Sequence, residues 1–367
     1  MSRAPAATGA PPAARPAYPG TVHEQNLRAA LDALLDGLPP REATAAVERL
    51  IASYRGATQT HAPVLRDAVD AAAYAAYRMP ATYGAASAAL AALAARLPGW
   101  SPATHTDLGG GTGAATWAVA GTWPQGCAST VLDWAEPALA LGAELARAAL
   151  PDVSWRRARL AGGEEPPPAD LVTVSYVLGE LTEADRAEVV AAAARSGRAV
   201  VLVEPGTPEG YLRVRAARDD LLAAGLTVLA PCPHDARCPV EPGRDWCHFA
   251  ARVSRSSLHR RVKGATLPYE DEKYSYVAAV RPELTLSREA PSGDAPSGDV
   301  PPGDVPPGEA VASRVVRRPQ IRKGQVLLDL CTPEGELTRT TVTKRHRDAY
   351  RRARDTDWGD PWPASED

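Results

Sequence analysis

The stretch DLGGGTGAATWAV, residues 107–119, joins a predicted strand to a predicted helix through a loop rich in glycine. Gly109, Gly111 and Gly113 let the backbone turn tightly and approach a ligand where a Cβ atom would clash. The helix that follows presents free backbone N–H groups in its first turn. The stretch therefore predicts a ligand-binding strand–helix turn in an α/β sheet.

Two acidic residues near the loop indicate which class of ligand it would bind. Asp107 lies at the end of the strand before the loop, and Asp133 ends the next predicted strand, where a carboxylate can accept hydrogen bonds from ribose hydroxyls. The six-residue GxGxxG spacing of dinucleotide sites is absent, because position 114 is alanine. The combination favours an S-adenosylmethionine site. A nicotinamide-dinucleotide site and a tight turn that binds nothing are the alternatives.

Strand and helix patterns alternate along the chain on the C-terminal side of the loop. Helical spacing falls between most of the predicted strands, for example at 137–150 and 183–194. This alternation indicates a mainly parallel sheet with crossover helices. Seven strands, the last returning after a long excursion, predict the Rossmann-like α/β fold of class I S-adenosylmethionine-dependent methyltransferases. The predicted strands are 105–108, 129–133, 154–157, 171–176, 199–204, 227–229 and 274–280.

We place this methyltransferase-like domain at 99–284. The chain before it has no alternating strand and helix pattern. Residues 1–20 are rich in Pro and Ala, and we expect them to be disordered. Residues 21–98 have helical spacing and predict a helical domain. Its alanine-rich stretches, 67–78 and 84–96, predict two separate helices.

The C-terminal part begins with a repeat, APSGD-APSGD-VPPGD-VPPGE, at 290–309. It has too few large apolar residues to fold, so we expect a disordered linker over 285–312. An extension at 313–354 follows. It carries two predicted strands around a Thr-Pro-Glu-Gly turn and a basic helix at 345–354. Residues 355–367 are expected to form a tail.

The fourth and fifth predicted strands should end close to the methyl donor. Ser175 and Tyr176 are candidates to line the donor pocket, with structural roles as the alternative. Glu180 and Glu204 also lie near strand ends, either as ligand contacts or as caps and solvated carboxylates. The Asn/Asp-Pro-Pro-aromatic motif of exocyclic-amine methyltransferases and the cysteine nucleophile of cytosine-C5 enzymes are both absent from these strands. We therefore identify no catalytic residue.

Three of the five cysteines lie in an insertion at 231–273, between the sixth and seventh predicted strands. They are Cys232, Cys238 and Cys247, and Cys331 lies far along the chain. Four thiolates are a complete ligand set for a tetrahedral zinc ion or for a [4Fe–4S] cluster. The wide, irregular spacing favours the cluster, because zinc sites with four cysteines commonly use Cys-x2-Cys pairs.

Other residues keep further interpretations open. His234 and His248 leave a mixed Cys/His zinc site possible, and unligated structural thiols are a third alternative. Cys127 is isolated before a strand and is expected to be a buried core thiol.

Composition indicates the class of protein and the cellular compartment in which we expect it. The chain is 45% hydrophobic and 23% charged, as expected for a soluble globular protein. No apolar run reaches the length of a membrane span, and residues 1–20 lack the apolar core of a secretion signal. Five cysteines are an odd number, which argues against a disulfide framework. We expect a cytoplasmic monomer without membrane contact.

Local positive charge distinguishes two segments of a chain whose net charge is −3. Residues 252–263 contain five Lys or Arg and no acidic residue, and residues 314–354 contain twelve Lys or Arg against four Asp or Glu. Such patches are typical of phosphate binding, and arginine also stacks on unpaired RNA bases. An arginine-rich solvated surface is the alternative.

Taken together, the motifs resemble one family: the methyltransferase-like assembly factors of the mitochondrial small ribosomal subunit, with their bacterial relatives. The resemblance covers residues 22–345 apart from the repeat at 290–309. The segments that carry it are PATYGA, DLGGGTGAATWA, VSYVLGEL, VLVEPGTPEGY, CPHDARCP, WCHFAARVSR, EDEKYSYVA and LDLCTPEG.

The resemblance implies a class I fold that binds S-adenosylmethionine, a four-cysteine [4Fe–4S] cluster and association with small-subunit rRNA. By position, Cys232, Cys238, Cys247 and Cys331 match the cluster ligands. Three functions remain open, of which the first two are an active rRNA methyltransferase and a non-catalytic RNA-binding assembly module. A small-molecule methyltransferase with a zinc-stabilised extension is the third.

Overall fold

The computed structural model describes most of the folded chain. The segment 1–20 and the repeat 290–309, both expected to be disordered, lie outside the described residues, so these expectations stay predictions. Of the linker expected over 285–312, only 285, 286 and 312 are described, and 285–286 end a short helix. The described residues are 21–36, 40–55, 67–255, 260, 266–286 and 312–363.

A sheet of eight strands forms the centre of the protein. Its order is β3-β2-β1-β4-β5-β8-β6, with β7 paired to β8. β1 to β5 are parallel, and β8 runs antiparallel between β5 and β6. This is the strand order of class I methyltransferases, so the predicted fold is confirmed. The strands are β1 Thr104–Leu108, β2 Ala128–Asp133, β3 Val153–Arg157, β4 Ala169–Ser175, β5 Gly197–Pro205, β6 Thr227–Ala230, β7 Phe249–Ser254 and β8 Tyr269–Val280.

The β7–β8 hairpin is the part of the sheet that the sequence did not predict. β7 lies inside the predicted cysteine-rich insertion, and β8 begins at Tyr269 rather than at Tyr274. The first residues of β8 are mostly charged, so they give no apolar pattern. They form a strand because β7 supplies the pairing partner and because Arg252 pairs with Asp271 across the hairpin at 2.8 Å.

Helices cover both faces of the sheet. α3 is one continuous helix, so the prediction of two helices at 67–78 and 84–96 is wrong. Pro80 lies inside it, and the residues on both sides of that proline, including Met79 and Tyr83, are buried in the core. Tertiary packing therefore overrides the helix-breaking tendency of proline. The helices are α1 Val22–Asp36, α2 Pro40–Arg55, α3 Ala68–Arg96, α4 Ala114–Thr122, α5 Glu136–Ala146, α6 Glu183–Ser196, α7 Pro208–Ala223 and α8 Glu283–Leu286.

The N-terminal helices share a hydrophobic core with the sheet. Leu27 of α1, Leu90 of α3, Trp117 of α4 and Tyr276 of β8 belong to one buried cluster. α3 also reaches β8 through an ion pair in which Arg78 Nη2 lies 2.9 Å from Glu272 Oε1. The division of the chain into domains stays a prediction.

A second, smaller sheet follows near the C-terminus. Its order is β10-β11-β9-β13, with β12 paired to β11, and a basic helix, α9, packs on it. The two strands predicted around the Thr-Pro-Glu-Gly turn are β11 and β12, and the segment expected as a tail contributes β13. No described helix is long and apolar enough to cross a membrane. The elements are β9 Ser313–Val315, β10 Gln320–Arg322, β11 Gln325–Cys331, β12 Leu337–Thr343, α9 Arg347–Asp355 and β13 Pro361–Trp362.

Candidate donor site and cysteine cavity

The glycine loop lies at the carboxyl end of β1, as predicted. Gly109, Gly111 and Gly113 all have positive φ, at 69°, 53° and 82°. A Cβ atom on Gly113 would lie 2.6 Å from the Trp155 ring, so only glycine fits there. A Cβ atom on Gly111 would meet only Asp133 Oδ2, at 3.8 Å. The loop is therefore closely packed against Trp155 at Gly113. It is open at Gly111, where a ligand could approach.

Asp107 is fully buried beneath the loop and supports it. Its carboxylate accepts hydrogen bonds from Thr173 Oγ1 at 2.7 Å and Thr116 Oγ1 at 3.0 Å, which tie β1 to β4 and α4. His105 Nε2 lies 2.8 Å from Thr173 Oγ1 and extends this chain across the sheet. Burial raises the pKa of Asp107 to about 6, although both hydroxyls act to lower it. Asp107 thus positions the loop from below.

Asp133 ends β2 beside the loop and faces the same opening. Its Oδ2 accepts a hydrogen bond from Gly111 N at 2.9 Å, and its Oδ1 accepts one from Ala135 N at 2.8 Å. Burial raises the pKa of Asp133, while these backbone bonds act to lower it. Each carboxylate oxygen keeps acceptor capacity for a further donor such as a ribose hydroxyl.

The side chains at the ends of β4 and β5 differ in what they contact. Ser175 Oγ is buried and has no hydrogen-bond partner among the described residues, which leaves it free for a ligand. Tyr176 has φ 60°, a conformation that residues other than glycine rarely adopt. Glu204 is committed to the fold, because it accepts bonds from Leu178 N at 3.0 Å and Arg213 Nε at 2.7 Å. Glu180 ends a short 3-10 helix.

The four predicted cluster cysteines line one cavity. Cys232, Cys238 and Cys247 come from the connection between β6 and β7, and Cys331 ends β11 of the C-terminal sheet. The cavity holds about 560 Å³, counting the open space at its mouth. Cys127 does not line it and is half-buried at the edge of the main core. The structure therefore brings the four together and leaves the fifth apart.

Polar contacts surround the cysteine sulfurs. His234 Nε2 lies 3.3 Å from Cys331 Sγ, and the Tyr211 hydroxyl lies 3.5 Å from Cys238 Sγ. Ser275 Oγ donates a hydrogen bond to the backbone carbonyl of Cys247 at 2.8 Å. These contacts join α7, β8 and the C-terminal sheet around one centre.

The ionisation of the thiols depends on this cavity. Burial raises the pKa of Cys232 to about 11 and that of Cys331 to about 12, and it also raises the pKa of Cys247 well above its usual value. Repulsion between neighbouring thiolates adds to the rise, while Arg218 and Arg314 oppose it. Without a further positive centre, these buried thiols stay protonated at neutral pH.

The donor set suits an inorganic group bound by four thiolates. Arg218 lines the cavity, and its buried Nε has no hydrogen-bond partner among the described residues, so positive charge is available beside the sulfurs. Within the described part of the chain, no group of three or more His, Cys, Asp or Glu side chains could hold a single metal ion. The zinc alternative therefore gains no support. What the four cysteines share is the lining of one cavity.

Arg218 also shapes the cysteine loop and was missed by the sequence analysis. Its Nη2 donates to the carbonyls of His234 at 2.9 Å and Ala236 at 2.8 Å. The turn after Cys331 packs against the same loop: Gly335 has φ 82°, and a Cβ atom there would lie 3.2 Å from Ala236 Cβ. The loop is thus held from α7 on one side and from the C-terminal sheet on the other.

The C-terminal sheet docks beside the cavity through arginine and aromatic contacts. Arg314 Nε donates to the Pro231 carbonyl at 3.1 Å, and Arg317 pairs with Asp245. His248 lies between two tryptophans, stacked on Trp246 at 5.1 Å and edge-on to Trp358 at 4.7 Å. His248 therefore packs between rings and does not line the cavity.

The two basic segments differ in their surroundings. In the first, the charges of the described residues Arg252 and Arg255 are balanced by ion pairs with Asp271 and Glu270 on β8. In the second, many cationic side chains are exposed, on and next to β10, in the 3-10 helix Lys344–His346 and on α9. They are Arg318, Arg322, Lys323, Lys344, Arg345, Arg347, Arg351, Arg352 and Arg354.

Comparison with known proteins decides the family. The model of the family described as "Mitochondrial small ribosomal subunit Rsm22" matches residues 68–363, which include the glycine loop and all four cavity cysteines. The chain belongs to the Rsm22 family. The resemblance noted in the sequence is thereby confirmed.

Two relatives of this Rsm22 family member are named as ribosome assembly proteins. The human mitochondrial ribosome assembly protein METTL17 is 30% identical over 311 residues, which are 79% of this chain and 62% of that protein. The mitochondrial ribosome assembly protein RSM22 of Saccharomyces cerevisiae is 26% identical over 182 residues, 38% of this chain and 29% of that protein. The chain thus spans less than two thirds of the length of these relatives. The expected cytoplasmic location is wrong by this comparison, because the relatives and the family are mitochondrial.

Solved structures of methyltransferases are also similar to this Rsm22 family member. Magnesium protoporphyrin IX methyltransferase from Synechocystis, with bound S-adenosylhomocysteine, is 15% identical, with a TM-score of 0.36 over 63% of this chain and 92% of that one. The assignment to the class I fold rests on the strand order described above.

Proposed function

We propose that this Rsm22 family member acts in assembly of the small ribosomal subunit, binds S-adenosylmethionine at the glycine loop and holds a [4Fe–4S] cluster in the cysteine cavity. One observation carries the proposal: four cysteines from two remote segments line one cavity between the methyltransferase-like sheet and the C-terminal sheet. The family and the names of its relatives support the ribosomal part of the proposal.

The donor would bind against the open side of the loop. Gly111 leaves room for close approach, Asp133 would accept hydrogen bonds from the ribose hydroxyls, and Ser175 Oγ is a buried hydroxyl available to a ligand. Gly109 and Gly113 would shape the loop, and Tyr176 would border the pocket at the end of β4. Bound S-adenosylmethionine would supply an activated methyl group.

The cluster would be held by Cys232, Cys238, Cys247 and Cys331. Arg218 and Arg314 line the same cavity and would offset the negative charge of the thiolates. Ligation would fasten β11 to the loop after β6, and such closure stabilises the fold because the unligated segments would otherwise move independently. The cluster would thereby hold the C-terminal sheet and its arginines in one place.

RNA binding is assigned to the exposed cationic face of the C-terminal sheet and α9. Ala353 is buried against the sheet, while Arg347, Arg351, Arg352 and Arg354 of the same helix are exposed. Exposed arginines held in place on the C-terminal sheet and α9 suit rRNA phosphates. Because Cys331 belongs to the same sheet, loss of the cluster would weaken RNA binding by letting this sheet move away from the rest of the protein.

Co-sedimentation with purified small ribosomal subunits tests the proposal. Anaerobically purified protein should sediment with the subunits at low salt. Cys331→Ser should sediment much less, whereas Cys127→Ser, which changes the cysteine outside the cavity, should behave as wild type. Failure of the wild-type protein to sediment at low salt would contradict the ribosomal role and favour a small-molecule methyltransferase.

A further inference from the structure

One face of α7 lies against the loop that carries three of the cavity cysteines. Tyr211, Arg215 and Arg218 are spaced along this face by three or four residues, and all three line the cavity. The Tyr211 hydroxyl lies 3.5 Å from the sulfur of Cys238, one of the four proposed cluster ligands. α7 therefore places a hydroxyl group in contact with a proposed ligand sulfur.

Arg215 determines the direction of this hydrogen bond. Its Nη1 donates to the Tyr211 hydroxyl oxygen at 3.4 Å, because a guanidinium has donors and no acceptor. A cysteine that ligates a metal centre has lost its own proton, so its sulfur can only accept. The phenol keeps its single hydrogen at neutral pH. When Cys238 is a ligand, the Tyr211 O–H is therefore the donor to its sulfur.

The same guanidinium also fixes the position of the sulfur. Arg215 Nη1 donates to the backbone carbonyl of Val240 at 2.7 Å, two residues beyond Cys238. Tyr211 and Val240 are each 4% exposed, so little water competes for the hydroxyl or the carbonyl. Arg215 thus binds the donor on α7 and the segment that carries the acceptor. A hydrogen bond in such a buried place is stronger than one exposed to water.

The start of α7 is held in place as well. Gly210 packs so closely on the end of β5 that a Cβ atom there would overlap the Pro205 carbonyl. Trp246 Nε1 donates to the Gly206 carbonyl at 2.9 Å, which ties the second part of the cysteine segment to the same turn. The backbone of Tyr211 therefore has little freedom to move away from the cavity.

We propose that Tyr211 is a positioning residue for the cluster, whose hydroxyl donates to Cys238 Sγ and raises the reduction potential. This rests on the cluster of the proposed function. Reduction adds negative charge that the ligand sulfurs share, so a donor directed at one sulfur stabilises the reduced state more than the oxidised state. The hydroxyl thereby favours the reduced state without being a ligand itself.

A second tyrosine in the same cavity provides the matched control. Tyr276 of β8 lines the cavity and is 5% exposed, much like Tyr211. In the described part of the chain, which includes all five cysteines, no hydrogen bond joins the Tyr276 hydroxyl to a cysteine sulfur. Loss of either hydroxyl makes the same cavity less polar, but only loss of the Tyr211 hydroxyl removes a donor to a sulfur.

Redox titration of the full-length, anaerobically purified protein tests the proposal. Tyr211→Phe should keep the iron content of the wild type. At a fixed potential its ratio of reduced to oxidised cluster should fall by about tenfold, which corresponds to a midpoint about 59 mV lower for one electron. Tyr276→Phe should titrate as the wild type. An unchanged midpoint in Tyr211→Phe, or an equal shift in both variants, would overturn the proposal.

A graded donor separates the hydrogen bond from packing. Tyr211→3-fluorotyrosine keeps the ring and the hydroxyl, while the fluorine withdraws electrons from the oxygen and strengthens the donor. Its midpoint should lie above that of the wild type, opposite in direction to the shift in Tyr211→Phe. This variant also decides the matter if Tyr211→Phe fails to hold the cluster. A midpoint at or below that of the wild type would show that the Tyr211 hydroxyl has no such effect.

The outcomes distinguish this proposal from the proposed function. Wild-type protein that carries four irons, with the same midpoint in all variants, would overturn the role of Tyr211 and leave the cluster standing. Wild-type protein without iron would contradict the cluster itself, and this inference would fail with it.

Discussion

His234 Nε2 lies 3.3 Å from Cys331 Sγ, although the two residues are 97 positions apart in the chain. The contact joins the loop after β6 to the last residue of β11 at the wall of the cysteine cavity. Folding therefore brings two remote cysteine-containing segments together at the cavity. The His234 ring nitrogen already contacts the sulfur of Cys331 there. A hydrogen bond to a ligand sulfur is one of the features that sets the reduction potential of an iron–sulfur cluster.

The buried Arg218 should be essential for stability of the cysteine loop. Arg218→Met keeps most of the side-chain volume but leaves the carbonyls of His234 and Ala236 without their charged donor. We expect a loss on the order of 3 kcal/mol in the free energy of unfolding, measured by urea denaturation under anaerobic conditions. Asp219→Ala is the control, because that carboxylate is 60% exposed beside Arg218, and it should change stability by less than about 1 kcal/mol. Equal losses in both variants would contradict the role given to Arg218.

Asp133 should control affinity for the donor. Asp133→Ala removes the acceptor of the Gly111 N–H, which shapes the loop, and also the carboxylate proposed to bind ribose. Binding of labelled S-adenosylmethionine should weaken by about tenfold to a hundredfold. Asp152→Ala, an exposed residue before β3, should bind as wild type. Unchanged affinity in Asp133→Ala would place the donor elsewhere.

Asp107 should make stability fall as pH rises through the weakly acidic range. Burial raises its pKa from the ordinary 3.8 to about 6, so between these values the folded state holds a proton that the unfolded state has released. The folded state then binds more protons, and its stability decreases with pH until both states are ionised. The shift corresponds to a decrease on the order of 3 kcal/mol.

Comparison with Asp107→Asn isolates this contribution. The difference in unfolding free energy, wild type minus variant, should fall from pH 4 to pH 7, because the amide does not titrate. The neighbouring Asp133 is present in both proteins, so its own titration largely cancels. A difference that stays flat or rises over this range would show that Asp107 is ionised in the folded protein throughout.

The exposed face of α9 should account for part of the salt dependence of ribosome binding. Replacing Arg347, Arg352 and Arg354 with alanine should weaken co-sedimentation and lower the slope of log affinity against log salt by about 2 to 3. Replacing Arg41, Arg147 and Arg156, which are exposed on other elements, should leave the slope unchanged. Equal effects of the two triple variants would mean that binding reflects overall charge.

Local patterns in the sequence predicted the elements that depend on local physics. The glycines at 109, 111 and 113 and the acid at 133 were recognisable because a tight strand–helix turn needs those residue types at those places. Alternating strands and helices likewise gave the order of the main sheet. The number and spacing of the cysteines suggested a ligand set that includes Cys331, and the family resemblance indicated the same four residues. How Cys331 reaches the other three depends on how the second sheet docks, which no local pattern describes.

Other features depend on contacts that no short window of sequence contains. Arg218 follows Tyr211 and Val214 on the buried face of α7, where an arginine has no local signature beyond its position on an otherwise apolar stripe. Arg78 and Glu272 are separated by 194 positions, and neither lies in a motif for an ion pair. The continuity of α3 across Pro80 and the β7–β8 hairpin were missed for the same reason: tertiary packing outweighed local propensity.

Iron and acid-labile sulfide in anaerobically purified protein test the central claim most directly, which is that four cysteines from two segments hold one cluster. The account predicts brown wild-type protein with about four irons and four sulfides per chain, and the same content in Cys127→Ser. Cys331→Ser should lose most of its visible absorbance and unfold at lower temperature. Colourless wild-type protein that carries a single zinc ion, or no metal, would contradict the account.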